Sequence, residues 1–565
     1  MSSTISQIER LIEQGRYFEA RSGTESLLTG SNDLRTKQLY ALALSKAGVP
    51  EAALAFMEPV YAAFPDDPES AGIMGSIYKE LFKKNQSNPF AIKSRDTYLK
   101  NFAATKNYYT GINAATMSAM AGQSAKGREI ATEVISLIEG KSEDFWVLAT
   151  LGEAYLLTKN KANAVQYYVR ARKAAGSDWG KVTSVHNQLW LLNHYITVPN
   201  DVMRLFLPPG VVSFVGHMID DPQRKEARFP AAIEQKIKDA IVQQVRSLDV
   251  HIGYTSLACG GDILFAEAMA EEGREVNIFL PFAKSDFIKT SVQFAGEGWV
   301  NRFNALIEKF PVSYLSTDPF GGLDDIFTLQ TKVIFGSAAM RSHSNRDSPK
   351  LLTVMSAVDL KRIEGGTRDT LGLWPFPKNH TNINPDLFIT DRSVVIDASA
   401  TTNELPQPAI KQPVRYLVNC DLSGSLSGSL EKVLEYRKDD TNDRRPTLIA
   451  DSASSTVLAS FTNETESIEF VRFVIAALKS VANKGSFRIS LHCGPVNISE
   501  AGKISGKTVS RAVEMIKVAP SNSIIATEQF AACLALSSSM FSVEYGGVFQ
   551  STAEENFSVY NVALK

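Results

Sequence analysis

The residues with the clearest chemical potential cluster in "YTSLACGGDILFAEAMAEEGREVNIFLPF", Tyr254 to Phe282. A small-residue turn carrying Gly260, Gly261 and Asp262 separates a strand-like run from a helical one. Glycine lets backbone approach a phosphate closely, and the free N–H groups at the start of the following helix favour an anion. The same turn also reads as a tight strand-to-helix connection that holds nothing. Two further turns of this kind are Gly216-His217 and Gly365-Gly366-Thr367. Candidate ligand contacts are therefore the backbone at Gly216, Gly260, Gly261, Gly365 and Gly366, the Thr367 hydroxyl, and Ser256, which opens the middle turn. His217 either touches a ligand phosphate or is a satisfied turn histidine. Asp262 either caps the helix that follows it or contacts a ribose. Glu267, on that helix, is either a site-facing or a structural carboxylate.

These residues need a sheet to position them. Val211 to Val215 reads as a buried strand, and "FPAAIEQKIKDAIVQQVRSL" as an amphipathic helix. "DVHIGYTSL", "REVNIFLPF", "PVSYLST" and "KLLTVMSAV" read as further strands, with "WVNRFNALIEKF" and "IFGSAAMRSHS" as helices between them. Strands alternating with helices imply a mostly parallel sheet covered on both faces. Ligands of such sheets sit beyond the carboxyl ends of the strands, where the three turns fall.

This segment, 206–390, resembles the SLOG superfamily, a Rossmann-like group that includes lonely-guy phosphoribohydrolases and DNA-processing protein A. The likeness is carried by "SFVGH", "SLACGGDILFAEAMAEEG", "NIFLPF" and "GGT". It implies binding of a nucleotide or nucleotide-derived signal, including ligands derived from NAD. The hydrolytic branch carries a Pro-Gly-Gly-x-Gly-Thr-x-x-Glu run; here it reads "EGGTRDTL", with no Glu after the Thr. The resemblance therefore implies binding ahead of N-glycosidic hydrolysis.

Residues 1–200 read as paired helices. "LRTKQLYALALSKAGVPEAALAFMEPVYAAFP" and "WVLATLGEAYLLTKNKANAVQYYVRARKA" place apolar residues at spacings of three and four, with Ala and Gly where helices would approach closely. Gly152, Tyr155, Ala164, Tyr167 and Tyr168 follow a tetratricopeptide pattern, so neighbouring pairs must stack into a solenoid. "GSIYKELF", "YYTGINAATM" and "FWVLATLGEAYLL" make residues 20–195 resemble the TRAFs-binding-type region of apoptosis-signal-regulating kinases and of bacterial multidomain proteins. That likeness implies a protein partner and regulation. Tyr109 and Asn113 in this stretch also fit a plain helix-to-helix lock.

"DASATTNELPQPAIKQPV" reads as a linker over 391–412. Beyond it, 413–565 runs strand, helix, hairpin, helix, strand, helix, strand, helix and two closing strands. "FRISLHCGPV", "ISGKTVSRAVEMIKVAPSNSIIATEQF" and "FSVEYGGVFQ" resemble a class III nucleotidyl cyclase homology domain. In that family two Asp side chains hold two divalent ions, and an Asn–Arg pair on a helix stabilises the transition state. Asp421 matches the first metal Asp. The second position holds Ser454 and Ser455, with Asp451 four residues early. The Asn and Arg positions hold Ser510 and Glu514, and the base-selecting position falls near Lys503. The resemblance implies a pseudo-cyclase that dimerises or binds a partner, with Mg²⁺ only if an active partner completes the site. His492 and Cys493 are adjacent strand residues on opposite faces and make no metal pair.

The whole chain sets outer bounds. Its 565 residues imply several domains, and a net charge of −2 with no Lys/Arg run argues against nucleic acid as a partner. Four separated cysteines and no long apolar run indicate reduced thiols, a cytoplasmic protein and no membrane. The N-terminus is polar and does not read as a signal peptide. The expected fold is multidomain: a TPR-like α-solenoid, an α/β Rossmann-like (SLOG) domain and an α+β ferredoxin-like cyclase homology domain. The expected function is signalling: a nucleotide-derived ligand is sensed centrally and relayed through protein contacts, including a homodimer. The alternative is an enzyme, either a nucleotide N-glycosidic hydrolase or a cyclase working with a partner subunit.

Overall fold

The computed structural model describes residues 4–13, 16–28, 33–221, 224, 226–358, 371–390, 411–424, 429–436, 447–451, 455–480, 486–537, 541–551 and 555–564. The chain divides into two compact units, Met1–Pro208 with Tyr545–Gln550, and Pro209–Glu544 with Ser551–Lys565.

The first unit is a run of helices: α1 (Ile5–Glu13), α2 (Tyr17–Leu28), α3 (Leu34–Lys46), α4 (Pro50–Ala63), α5 (Pro68–Asn85), α6 (Asn88–Thr105), α7 (Tyr108–Met120), α8 (Ser124–Ile138), α9 (Phe145–Leu157), α10 (Lys161–Ala175), α11 (Trp179–Leu192) and α12 (Asn200–Leu205). Local chemistry sets their starts. Asp33, Asp67, Asn107, Asp144, Asn160 and Asp178 accept from first-turn N–H groups that would otherwise lack intrahelical partners. Pairing is set by aromatic rings laid on glycines. A Cβ built on Gly75 would lie 2.9 Å from the Tyr98 ring, and one on Gly152 would lie 2.8 Å from the Tyr168 ring. Glycine is needed here for close approach, as the small-residue pattern anticipates.

The second unit contains two sheets. The first is six-stranded and parallel: β1 (Gly210–Gly216), β2 (Val250–Thr255), β3 (Glu275–Leu280), β4 (Val312–Tyr314), β5 (Lys350–Val354) and β6 (His380–Ile383), in the order β4-β3-β2-β1-β5-β6. The chain steps outward from β1 to β4, then returns to β5 on the other side of β1. The connecting helices are α13 (Glu234–Ser247), α14 (Gly261–Glu271), α15 (Lys284–Ser291), α16 (Glu297–Lys309) and α17 (Asp325–Ser344). Strand β6 is absent from the sequence reading, because "HTNI" is short and polar and only its pairing with β5 defines it.

The second sheet is mixed: β7 (Val414–Gly424), β8 (Thr447–Asp451), β9 (Thr456–Phe461), β10 (Ser486–Pro495), β13 (Ser523–Thr527), β14 (Phe541–Gln550) and β15 (Asn556–Leu564), in the order β14-β15-β13-β10-β7-β9-β8. A two-stranded ribbon, β11 (Asn497–Ile498) with β12 (Ile504–Ser505), follows β10. Helices Glu464–Ser480 and Glu528–Ser537 pack on one face, with Tyr416, Val418 and Cys420 beneath them in the shared core.

α17 joins the two sheets. Gly336 packs directly on the backbone of Glu528–Ser537, where a Cβ would fall 2.1 Å from the Ala532 carbonyl oxygen. Lys332 Nζ pairs with both Glu464 carboxylate oxygens at 2.8 and 2.9 Å, in a largely buried position. Gly336→Ala gains ~1 kcal/mol in helix propensity. The clash is with backbone, which cannot swing aside, so overpacking at about 1–3 kcal/mol or more decides the sign. Gly336→Ala should therefore lower the denaturant midpoint. Gly372→Ala, also in a helix and meeting no atom within 4 Å, should leave it in place or raise it.

Candidate functional site

The two described turns meet at the carboxyl ends of β1 and β2. Gly261 N donates to His217 O at 2.9 Å, and Ile219 N donates to Cys259 O at 3.1 Å. The chains touch so closely that a Cβ on Gly216 would lie 3.0 Å from Gly261 Cα. Gly260 has φ +106°, and a Cβ there would meet Ile219 N at 2.5 Å. These glycines therefore have a structural role in packing turn against turn. Gly365, Gly366 and Thr367 lie outside the described residues.

Asp262 is the second residue of α14, and Gly260 stands at the N-cap with no side-chain cap bond. The helix-cap expectation for Asp262 gives way to another geometry. Its Oδ1 accepts from Gly216 N at 3.2 Å and its Oδ2 from Ala258 N at 3.3 Å, so the carboxyl group straps both turns to the helix start. The side chain is buried, and loss of hydration pushes its pKa from the ordinary 3.8 up to about 7, against the two N–H bonds.

His217 is buried and joins β1 to β5: its N–H donates to Val354 O at 3.0 Å, and its Nε2 accepts from Ser356 N at 3.1 Å. Glu267 is held by Arg302, at 2.6 and 2.8 Å, and lies 3.4 Å from Lys238. Arg302 also reaches Glu234 at 2.7 Å, so Glu267 takes part in an ion-pair network over α13, α14 and α16.

Open space lies beside these turns. A cavity of about 420 Å³ is bounded by Val215 near the end of β1 and Met218 after it, Ser256 and Ala258 after β2, Asp262 on α14, Thr290 and Ser291 on α15, and Phe327, Gln330, Thr331 and Ile334 on α17. Residues 327, 330, 331 and 334 follow helical spacing and form one face of α17, opposite Lys332 and Gly336. Of the sequence-based candidates, Ser256 and Asp262 line the cavity. Thr290, Ser291, Gln330 and Thr331 are new. The one signal for them in the sequence is the polar pair Gln330-Thr331 within the helical stretch "IFTLQTKVIF". Gln330 Nε2 donates to Ser256 Oγ at 2.8 Å and to Phe279 O at 2.7 Å, fixing the cavity floor.

In the second sheet, Asp421 Oδ2 lies 3.5 Å from Arg488 Nε, and Oδ1 accepts from Ser423 N at 3.0 Å. Thr456 of β9 pairs with Asp421 on one side and Asp451 on the other, so the two aspartates share a row two strands apart. Ser455 sits in the turn with φ 52°. Strand pairing thus puts Asp451 in the row that linear spacing denies it.

In the first unit, the leading helices of successive pairs are tied by polar side chains 34 to 37 residues apart. Lys79 Nζ on α5 donates to Asn113 Oδ1 on α7 at 2.9 Å. Thr116 on α7 and Gln188 Nε2 on α11 both donate to Glu153 on α9. Burial, then the nearby Lys83 charge, lowers Lys79 to about 8. Asn113 Nδ2 also bonds back to Tyr109 O at 2.8 Å.

The Tetratricopeptide Repeats-Sensor family matches residues 16–118. Among solved structures, the chain is similar to a thermophilic TPR protein of Thermus thermophilus, at 16% identity over 33% of this chain and 97% of that one, with TM-score 0.29. It is similar to MamA at 16% identity over 32% and 98%, with TM-score 0.24. The adenylyl cyclase CyaB from P. aeruginosa is similar at 11% identity over 27% and 96%, with TM-score 0.23. None of the curated proteins compared with the chain matches it. The chain thus carries a tetratricopeptide-type repeat region ahead of a mixed α/β region. Among the described residues no helix is long and apolar enough to cross a membrane.

The buried carboxyl group makes a pH prediction. Between the ordinary 3.8 and about 7, folded Asp262 holds a proton that the unfolded chain has released. Stability therefore falls as pH rises through that window and levels off above it. Asp262→Asn removes this dependence. The difference in unfolding free energy between variant and wild type should move in the variant's favour by up to about 4 kcal/mol from pH 4 to pH 8. Urea unfolding at both pH values measures it; an unchanged difference would contradict the burial of the carboxyl group.

Proposed function

We propose that the protein is a regulator that takes a nucleotide-derived ligand at the strand ends of the parallel sheet and relays its presence through protein contacts. The observation that carries this reading is the cavity at the carboxyl ends of β1 and β2, on the edge of the sheet beyond which parallel sheets take ligands. The sequence likeness of 206–390 to SLOG proteins supports a nucleotide or NAD-derived molecule. The tetratricopeptide-type repeats support a protein partner, since such repeats present extended surfaces.

The second sheet fits a class III cyclase homology domain that has lost its chemistry and serves contacts, including self-association. Arg488 already pairs with Asp421, and Ser510 and Glu514 stand where a transition-state Asn and Arg would be needed. These residues do not fit a two-metal site.

Calorimetry of the whole chain against adenosine diphosphate ribose, its cyclic forms, the dinucleotide and simple triphosphates tests the sensing role. At least one should bind with one-site stoichiometry; silence across the panel would leave the parallel sheet without a nucleotide role. The protein with Mg²⁺ or Mn²⁺ should make no cyclic AMP or cyclic GMP from the matching triphosphate. Turnover that disappears in Asp421→Ala would overturn the pseudo-cyclase reading.

A further inference from the structure

We infer that the strand-end cavity receives the ring of a nitrogen heterocycle, a purine or a nicotinamide, and leaves any phosphates outside. This rests on the nucleotide-sensing reading and narrows it to one part of the ligand.

Charge is the first ground. Among the described residues the lining contains no lysine, arginine or histidine, and Asp262 is the one ionisable group. A phosphate carried inward would lose its hydration and meet a carboxyl group with no cation among the described lining residues to balance it. The cations near α14, Arg302 and Lys238, are engaged with Glu267, Glu234 and Glu271 and do not line the space.

Shape is the second ground. Phe214, Phe287 and Phe327 contribute aromatic walls, and Ile334 and Met218 add apolar surface. Flat rings bind such walls by offset stacking and edge contact. The volume, about 420 Å³, lies at the lower end of the range for small-molecule pockets.

Hydrogen bonding is the third ground, and it selects the edge of the ring. Gln330 Nε2 commits both protons, one to Ser256 Oγ and one to Phe279 O. That orientation leaves Gln330 Oε1 as an acceptor that no described residue fills. Ser256 Oγ, as acceptor from Gln330, keeps its own proton to donate. An acceptor thus lies beside a donor. The amino edge of adenine and the carboxamide of nicotinamide each present the complementary pair, an N–H next to a ring nitrogen or a carbonyl oxygen.

The test is calorimetry of the full chain with adenosine, nicotinamide, adenosine diphosphate ribose and inorganic pyrophosphate at low and high salt. Adenosine or nicotinamide should bind, with a Kd that salt does not move, because no phosphate–cation pair is involved. The two compounds tell which ring is preferred. Thr331→Phe, which fills the cavity, should abolish binding. Ser256→Ala, which keeps the shape, should weaken it roughly three- to tenfold, the worth of one neutral hydrogen bond. Thermal unfolding checks that both variants fold; if Thr331→Phe does not, Ser256→Ala alone decides. If adenosine diphosphate ribose binds wild type and both folded variants equally, nucleotide sensing stands and the cavity assignment falls. If pyrophosphate displaces adenosine, the cavity takes phosphate and the inference is wrong. If the free rings bind and no nucleotide does, the inference holds and nucleotide sensing falls. If nothing binds, both fall.

Discussion

A buried carboxyl group that accepts two backbone N–H groups holds the carboxyl ends of β1 and β2 to the start of α14. Between the two turns that Asp262 joins there is no space for side chains, so Gly216, Gly260 and Gly261 pack against backbone. The cost is a carboxyl group kept from water, visible in its raised pKa. The gain is a rigid rim. With that rim closed on one side, the space left between the strand ends, α15 and α17 remains open as a defined cavity.

α17 gives that cavity its connection to the rest of the second unit. One face of the helix carries Phe327, Gln330, Thr331 and Ile334 into the cavity. Another carries Lys332 to Glu464 and Gly336 onto Ala532. A helix packed on backbone at a glycine cannot rotate freely, so a ligand that shifts α17 must also shift the helix Glu528–Ser537. This is a spatial connection, and a coupling energy between the cavity and the mixed sheet would be needed to make it allostery.

Much of the fold is legible in the sequence, and the limits are physical. Turns and periodicity are local, so the glycine turn, the alternating strands and helices and the paired helices of the repeats can be read directly. Asp262 stands out in the sequence, but a local reading gives it a local partner; its actual acceptor geometry joins residues 46 apart. Glu267 looks ambiguous because its partner Arg302 lies 35 residues on, across a helix packing that no local pattern encodes. The cavity lining from α15 and α17 is invisible for the same reason. Asp451 shows the converse: counting residues puts it out of place, while strand pairing puts it in the row of Asp421.

The central claim is that a heterocyclic ring enters the space between the β1 and β2 ends and α17. Photolabelling with an azido-adenosine, followed by mass mapping of the tryptic peptides, addresses it most directly. Labels should fall on the segments containing Phe287 to Ser291 and Phe327 to Ile334, and excess unlabelled adenosine should remove them. Competable labelling confined to the repeats or to the mixed sheet, with these two segments unmodified, would contradict the account.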